Sequence, residues 1–390
     1  MTPSARVQTA IEILDAILLA ARTNGAAADS VIAQEFRARR YAGSKDKRAI
    51  RDLVYRAIRG FGAPPISGRA AMLGLQDEMI SAEFGAGGYG PAAVTEDEPK
   101  AEPTLVADWL RAEFLPMVDE DEQAGLLGRA PFDLRVNRLK ADLASVQADL
   151  GGETVPHIPD ALRFAEGFDI ASHPAYLDGK VEVQDAGSQL IARVCKAAPG
   201  MTIVDFCAGA GGKTLALAAD MDGQGQLIAC DTDRTRLQRL PERAERAGAL
   251  VESRLLNPKR EHEALVDLEA TADVVLVDAP CSGSGTWRRN PELRWRLTPE
   301  RLDRLTQLQA QVLDAAMPLV RPGGSLVYAV CSLFAREGAG QIDAFLARHA
   351  GWSADLLALP LGRISGKGYV LTPLHDATDG FFIARLTRSC

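Results

Sequence analysis

Two thiols and a carboxylate sit where apolar runs end. The run Asp273-Val274-Val275-Leu276-Val277 closes in Asp278-Ala279-Pro280-Cys281-Ser282-Gly283, and Ser325-Leu326-Val327-Tyr328-Ala329-Val330 closes in Cys331-Ser332. Both runs read as buried parallel strands, and ligands of open α/β sheets bind beyond the carboxyl ends of such strands. Asp278, Cys281 and Cys331 are therefore expected to converge. The trio suits methylation of carbon 5 of a cytosine, a carbon too weakly nucleophilic to take a methyl group unaided. A thiolate adding to carbon 6 pushes electron density onto carbon 5, and loss of the carbon 5 proton and of the thiol restores the ring. The attacking species is the thiolate, so its pKa must fall from about 8.5. A carboxylate near N3 and N4 stabilises charge building on the ring, and a second thiol can assist proton removal or elimination. A single cysteine at a strand end is usually a small core residue; the pairing behind Asp278 points to catalysis.

A second constellation supplies a cofactor cradle. Val204-Asp205-Phe206-Cys207-Ala208-Gly209-Ala210-Gly211-Gly212-Lys213-Thr214 follows a strand and opens a helix. Glycines let backbone approach a ligand closely, and a helix N-terminus favours an anionic group. A Walker A loop would need glycine where Cys207 stands, and a dinucleotide fingerprint would need glycine where Thr214 stands. The next strand ends in Cys230-Asp231-Thr232-Asp233, where a carboxylate suits the two hydroxyls of a ribose in either NAD or S-adenosylmethionine proteins.

The elements that must position these groups alternate. MTIVDF, QLIACD, VESRLL, DVVLVDAP and SLVYAVCS are strand-like and separated by helical stretches, which predicts a mainly parallel, doubly wound sheet from about residue 181 to 390. Residues 129–180 read as a small α+β module: PFDLRVN is a strand, KADLASVQADLG a helix ended by Gly151. Residues 1–128 read as an all-helical domain with an acidic linker. Val7, Ile11, Leu14 and Leu18 share one helical face, as do Ile50, Leu53, Val54 and Ile58. Residues 105–115 and 120–128 are read as a return to helix.

Composition narrows the class. The 390 residues are 47% hydrophobic, enough for two or three packed domains, and no run approaches the length of a membrane span. The N-terminal stretch lacks the pattern of a signal peptide. A soluble, cytoplasmic, monomeric protein without membrane association is expected. The six cysteines form no CxxC pair and the five histidines show no ligand spacing, so neither disulfides nor a metal site is expected. The net charge of −8 is unevenly spread: residues 1–69 carry 12 Lys and Arg against 6 Asp and Glu, residues 71–130 carry 3 against 13. The acidic stretch hides a basic helical module. Thr286 to Arg304 adds Arg288, Arg289, Arg294, Arg296, Arg301 and Arg304 with Trp287 and Trp295. Two readings of the tryptophans stay open: stacking on splayed bases, with the arginines on phosphates, or packing under the helix at 299–319.

Taken together, VQDAGSQL, DFCAGAGGKT, ACDTDRTRL, VLVDAPCSGSGTWRRNPELRW, YAVCSLFAREG and DGFF resemble, in order, the RsmB/Sun family of RNA cytosine-5 methyltransferases. The resemblance implies a Rossmann-like class I methyltransferase fold, a NusB-like RNA-binding domain at the N-terminus and a small RNA-recognition-like subdomain. It implies S-adenosyl-L-methionine as cofactor, held by Cys207, Ala208, Gly209, Ala210, Gly211, Gly212, Lys213, Asp231, Asn257 and Asp278. It implies Cys331 as the nucleophile, Cys281 as the thiol of product release, and Asp278 as a contact to the base. The implied partner is 16S ribosomal RNA or an assembling small subunit. Gln184, Asp185 and Ser188 match a family segment, as direct participants or as a strand-entry cap. Some residues depart from the family pattern. Gly209 and Ala210 replace Ala and Pro, which predicts a looser loop. Asn257 stands where Asp is common, Val330 where Thr is, and Gly338 where Asn is. An adenine-amino enzyme would show Asn/Asp-Pro-Pro-aromatic in place of 278–281, and a DNA cytosine enzyme would use the Pro-Cys thiol as nucleophile, leaving Cys331 idle. A non-catalytic RNA-binding protein on the same fold is the remaining alternative.

Overall fold

The protein is described by a computed structural model covering residues 1–165 and 167–390. It divides into two compact units, Met1–Gly128 with Thr286–Pro299, and Arg129–Gly285 with Glu300–Cys390.

The first unit is helical, led by α1 (Pro3–Arg22), α2 (Ala28–Ala38), α3 (Ser44–Gly60) and α4 (Gly68–Gly74). The Thr2 hydroxyl caps α1 by accepting the Ala5 N–H at 3.2 Å, and Pro3 occupies the first turn, where no amide donor is needed. Ile13, Leu14 and Ile17 of α1 and Ile50, Val54 and Ile58 of α3 are fully buried in one core, while Arg48, Arg51 and Arg56 of α3 stay exposed. Both tryptophans are packing residues. Trp295 lies in the core of the first four helices, and its indole N–H donates to Phe61 O at 2.8 Å. Trp287 is fully buried, edge-on to Phe114. Arg294 is buried too, donating to Ile58 O at 2.6 Å and to Leu105 O; Arg296 donates to Gly25 O at 2.9 Å and to Ala26 O. Ile58 lies in the last turn of α3, where carbonyls lack intrahelical donors, and Gly25, Ala26 and Leu105 lie in loops; the guanidinium forks supply donors to all four. That demand removes Arg294 and Arg296 from phosphate duty.

The second unit holds two sheets. The small one has the order β2-β3-β1-β4, all antiparallel, from β1 (Phe132–Val136), β2 (Glu153–Thr154), β3 (Ala161–Phe164) and β4 (Val181–Val183). The helix Leu143–Leu150 lies between β1 and β2, capped by Asp142 on the Ser145 N–H at 2.9 Å. The large sheet takes its parallel strands in the order β7-β6-β5-β8-β9: β5 (Thr202–Asp205), β6 (Gln226–Asp231), β7 (Glu252–Leu255), β8 (Ala272–Asp278) and β9 (Val320–Val330). The order reverses beside β5, the switch point where ligands bind. Beyond β9 the sheet continues antiparallel through β13 (Phe381–Arg388), β12 (Gly368–Leu371) and β11 (Arg363–Ser365), and β10 (Trp352–Ala354) pairs β13. Val204, Val275, Leu276, Val277, Val327 and Ala329 are fully buried, because helices cover both faces of a parallel sheet. These buried strands deliver the segments 206–211, 231–233, 278–285 and 331–338 to one edge.

No helix among the described residues is long and apolar enough to cross a membrane.

Candidate active site

The glycine loop leaves β5 and turns into the helix Gly212–Asp220. Gly211 caps that helix with φ +87°, and a Cβ there would stand 2.2 Å from Leu240 Cδ1. Only glycine fits both the left-handed backbone and the contact. Above Gly212 the space is open: a Cβ would meet nothing within 4 Å. The predicted loosening from Gly209 and Ala210 is opposed by three contacts. Asp231, at the end of β6, accepts the Gly209 N–H at 2.7 Å; Arg243 donates to Ala210 O at 2.6 Å; the Arg236 guanidinium packs on Gly209. Arg243 is itself held by Glu182 of β4 at 2.7 Å.

Asp231 also accepts the Asp233 N–H at 2.7 Å. Each of its oxygens therefore takes one backbone donor and keeps a lone pair, acceptor capacity for two hydroxyls. Asn257 lies just beyond β7, exposed, with no protein partner for its amide among the described residues. Cys207 and Ala208 line the turn after β5, half-buried. Burial, with Asp205, Asp231 and Asp278 nearby, pushes the Cys207 thiol well up, so it is a wall of the loop and not a nucleophile.

Lys213, in the first turn of that helix, reaches across to β8. Its Nζ lies 2.7 Å from Asp278 Oδ2. Burial works against the ammonium, but Asp278 and the nearby Cys331 outweigh it and raise the lysine. A cation thus stands by the half-buried Cys331. Cys281 and Cys331 meet, with Sγ atoms 3.4 Å apart. The hydrogen bond to Cys331 and burial raise Cys281 well above an ordinary thiol, with Glu337 adding to the effect. The two thiols are therefore unequal: Cys281 is held protonated, while Cys331 has the ammonium nearby. Asp278, Cys281, Cys331, Lys213, the glycine loop and Asp231 come together; Asn257 stands at the rim.

Gln184, Asp185 and Ser188 make structural contacts. Asp185 caps the helix Ala186–Val194 through the Gly187 N–H at 2.8 Å and accepts the Asp379 N–H at 3.1 Å. Gln184 joins Arg135 at 2.7 Å to Ser188 at 3.2 Å. The sequence reading missed three groups. Asp205 lies under the loop, its Oδ2 taking the Thr214 hydroxyl at 2.7 Å while Oδ1 is buried without a partner; its place directly before the glycine loop was the available signal. Arg243 had none. Glu337 is fully buried behind the cysteines and was visible only as a charged residue in a helix-like AREG. No group of three His, Cys, Asp or Glu among the described residues is placed to hold a metal.

Residues 192–387 match the family model described as 16S rRNA methyltransferase RsmB/F. The chain is 34% identical over 297 residues to a probable ribosomal RNA small subunit methyltransferase B of Synechocystis sp., covering 72% of this chain and 66% of that protein. It is 36% identical over 265 residues to ribosomal RNA small subunit methyltransferase B of Klebsiella pneumoniae subsp. pneumoniae, covering 67% and 60%. The chain thus spans about three fifths to two thirds of the length of these curated relatives. Among solved structures, the crystal structure of PH0851 superposes with a TM-score of 0.76 at 25% identity over 99% of both chains. A methyltransferase homolog protein from Pyrococcus horikoshii gives 0.61 at 27% identity, over 71% of this chain and 92% of that one. The chain belongs to the 16S rRNA methyltransferase RsmB/F family.

Proposed function

We propose that the protein methylates carbon 5 of a cytosine in small-subunit ribosomal RNA, with S-adenosyl-L-methionine as donor and a covalent bond between Cys331 and carbon 6. One observation carries the reading: two thiols 3.4 Å apart at the ends of adjacent parallel strands, beside the Lys213–Asp278 pair and the glycine loop. An N-methyltransferase needs neither thiol, and a Pro-Cys nucleophile alone leaves Cys331 without work.

The residues present fit S-adenosyl-L-methionine. The open space over Gly212 and the free lone pairs of Asp231 suit its carboxylate and ribose ends. Cys207 to Lys213, Asp231, Asn257 and Asp278 would hold it; when bound, it supplies an electrophilic methyl on a sulfonium centre. The chain's own groups do the rest. Cys331, with the Lys213 ammonium nearby, adds as its thiolate to carbon 6 and makes carbon 5 nucleophilic. Asp278 offers its carboxylate to the polar edge of the ring. In the elimination a solvent base takes the carbon 5 proton, the ring double bond re-forms, the carbon–sulfur bond breaks, and the protonated Cys281, 3.4 Å away, gives its thiol hydrogen to the departing Cys331 sulfur. The base must leave its stack to reach the thiols.

The RNA partner is supported by the helical unit. Arg37, Arg40, Lys45, Lys47 and Arg48 have no ion-pair partner among the described residues, and Arg37, Arg40, Lys47 and Arg51 line a cleft of about 560 Å³. Unpaired cations on one face suit a phosphate backbone. The reading extends to a monomer working in the cytoplasm.

The test uses tritiated-methyl S-adenosylmethionine, purified protein and protein-free 16S rRNA, followed by nucleoside analysis. Label in 5-methylcytidine is expected. Label in any other nucleoside, or RNA binding without label on naked rRNA and on assembling subunits alike, sinks the proposal.

A further inference from the structure

Behind the two thiols lies a group the reaction above does not use. Cys281 is followed by Ser282 and Cys331 by Ser332, and both serines point inward to the Glu337 carboxylate. Oε1 accepts the Ser282 N–H at 2.8 Å and the Gln309 amide at 2.9 Å; Oε2 accepts the Ser332 hydroxyl at 2.5 Å and the Ser282 hydroxyl. Gln309 also donates to Pro280 O at 2.9 Å, so the residue before Cys281 is tied to the same centre. Ser284 closes the network, lying 3.1 Å from the Ser332 hydroxyl and accepting the Leu333 N–H at 2.9 Å. Glu337, Ser284 and Ser332 are completely shielded from solvent.

We infer that Glu337 is the positioning residue that holds the turns of Cys281 and Cys331 in register, and so sets the spacing of nucleophile and release thiol in the proposed cytosine reaction. The inference rests on that reaction for its function but on the turns alone for its geometry. The two turns come from loops fifty residues apart, and one carboxylate takes donors from both. A buried charge is costly to desolvate, and an apolar side chain of similar volume would serve folding as well. What an apolar side chain could not supply is two acceptor oxygens that fix both turns at once. Misplacing a reacting group by an ångström costs about 100-fold in rate.

The experiment compares Glu337→Ala and Glu337→Gln in the full chain with two readouts. The first is methyl transfer to 16S rRNA. Glu337→Ala is expected to lower kcat about 100-fold, with the RNA KM and the S-adenosylmethionine Kd unchanged. Glu337→Gln keeps an acceptor for the Ser282 N–H and should recover to within about tenfold of the parent. The second readout needs no RNA: iodoacetamide alkylation of Cys281 and Cys331 against pH, read by mass spectrometry. Both variants remove a negative charge that helps keep Cys281 protonated, so its alkylation midpoint should move to lower pH. Parental kcat with a parental alkylation profile would overturn the inference. So would a loss of kcat in Glu337→Ala that Gln fails to rescue and that cofactor affinity and melting temperature follow in step. If the parent protein itself makes no 5-methylcytidine, the reaction proposed above is wrong, and the alkylation profile alone decides on Glu337.

Discussion

The chemistry of the site turns on one asymmetry between residues. Cys281 and Cys331 share a contact, yet Lys213 stands by Cys331 while the Cys331 contact, burial and Glu337 keep Cys281 protonated. Cys331→Ser should lower methyl transfer by at least about 10³-fold, since the hydroxyl is a far weaker nucleophile at neutral pH. Cofactor binding should be unchanged. Cys281→Ala should accumulate a covalent RNA–protein adduct, visible as a denaturant-resistant band that Cys331→Ala lacks. The reverse pattern would exchange the roles of the two thiols. Asp205 makes a separate prediction. Burial, with Asp278 and Asp231 nearby, lifts its carboxyl to about 7 from 3.8, against the Thr214 hydroxyl and Lys213. The folded state thus holds this proton more tightly than the unfolded state. The stability it contributes is fully present below about pH 4 and is lost as pH rises through about 7. Melting temperatures at pH 6 and pH 8 should show the parent losing stability on the alkaline side. Asp205→Asn should lose less.

At the scale of elements, the site exists because strand ends meet, and one contact guards the meeting of the Cys281 turn with β13. Gly285 and Gly380 lie so close that a Cβ on Gly285 would stand 1.9 Å from Gly380 O. Gly285 N–H donates to Cys331 O at 3.0 Å, and Gly380 N–H to Gly285 O at 2.8 Å. Gly285→Ala should therefore push the Cys281 turn away from Gly380 and disturb its hydrogen bond to Cys331 O, lowering kcat about tenfold or more while leaving cofactor affinity intact. Rate and affinity measured on one preparation check this split. The strands themselves were legible: four largely buried apolar runs ending in Asp205, Asp231, Asp278 and Val330 need only their pattern to be recognised as parallel, while β7, ending in Leu255, is a half-exposed edge strand. The glycine loop and the two cysteines were legible for the same reason, being tied to strand ends. Glu337 was not, because its partners Ser282, Gln309 and Ser332 are ordinary residues that become a site only after the chain folds. Trp295 and Arg294 misled for a related reason. Local spacing marks an aromatic-basic stretch, but the carbonyls of Phe61 and Ile58 that claim these side chains lie more than two hundred residues earlier.

Across the whole molecule, the net charge of −8 conceals where an RNA could be held. The acidic residues of 71–130 are partly consumed internally: Glu98 pairs with Arg69 and Asp77 with Arg56. Those pairs neutralise cations on one part of the helical unit and leave Arg37, Arg40, Lys45, Lys47 and Arg48 without acidic partners among the described residues. Lys47 lies 5.9 Å from the centre of the Phe36 ring, a contact that orients the side chain without cancelling its charge. If these cations hold phosphates, each contact releases counterions, and affinity falls with salt at a slope set by their number. The triple variant Arg37→Ala, Arg40→Ala, Lys47→Ala should bind 16S rRNA more weakly and show a log–log salt slope shallower by about 2 to 3. None of the three makes an ion pair among the described residues, so the melting temperature should hold. Cys331-dependent chemistry should also survive at saturating RNA and low salt, with the loss in KM and not in kcat. An unchanged salt slope would assign the RNA contact to another face and leave the cleft of α2 and α3 without a role in binding.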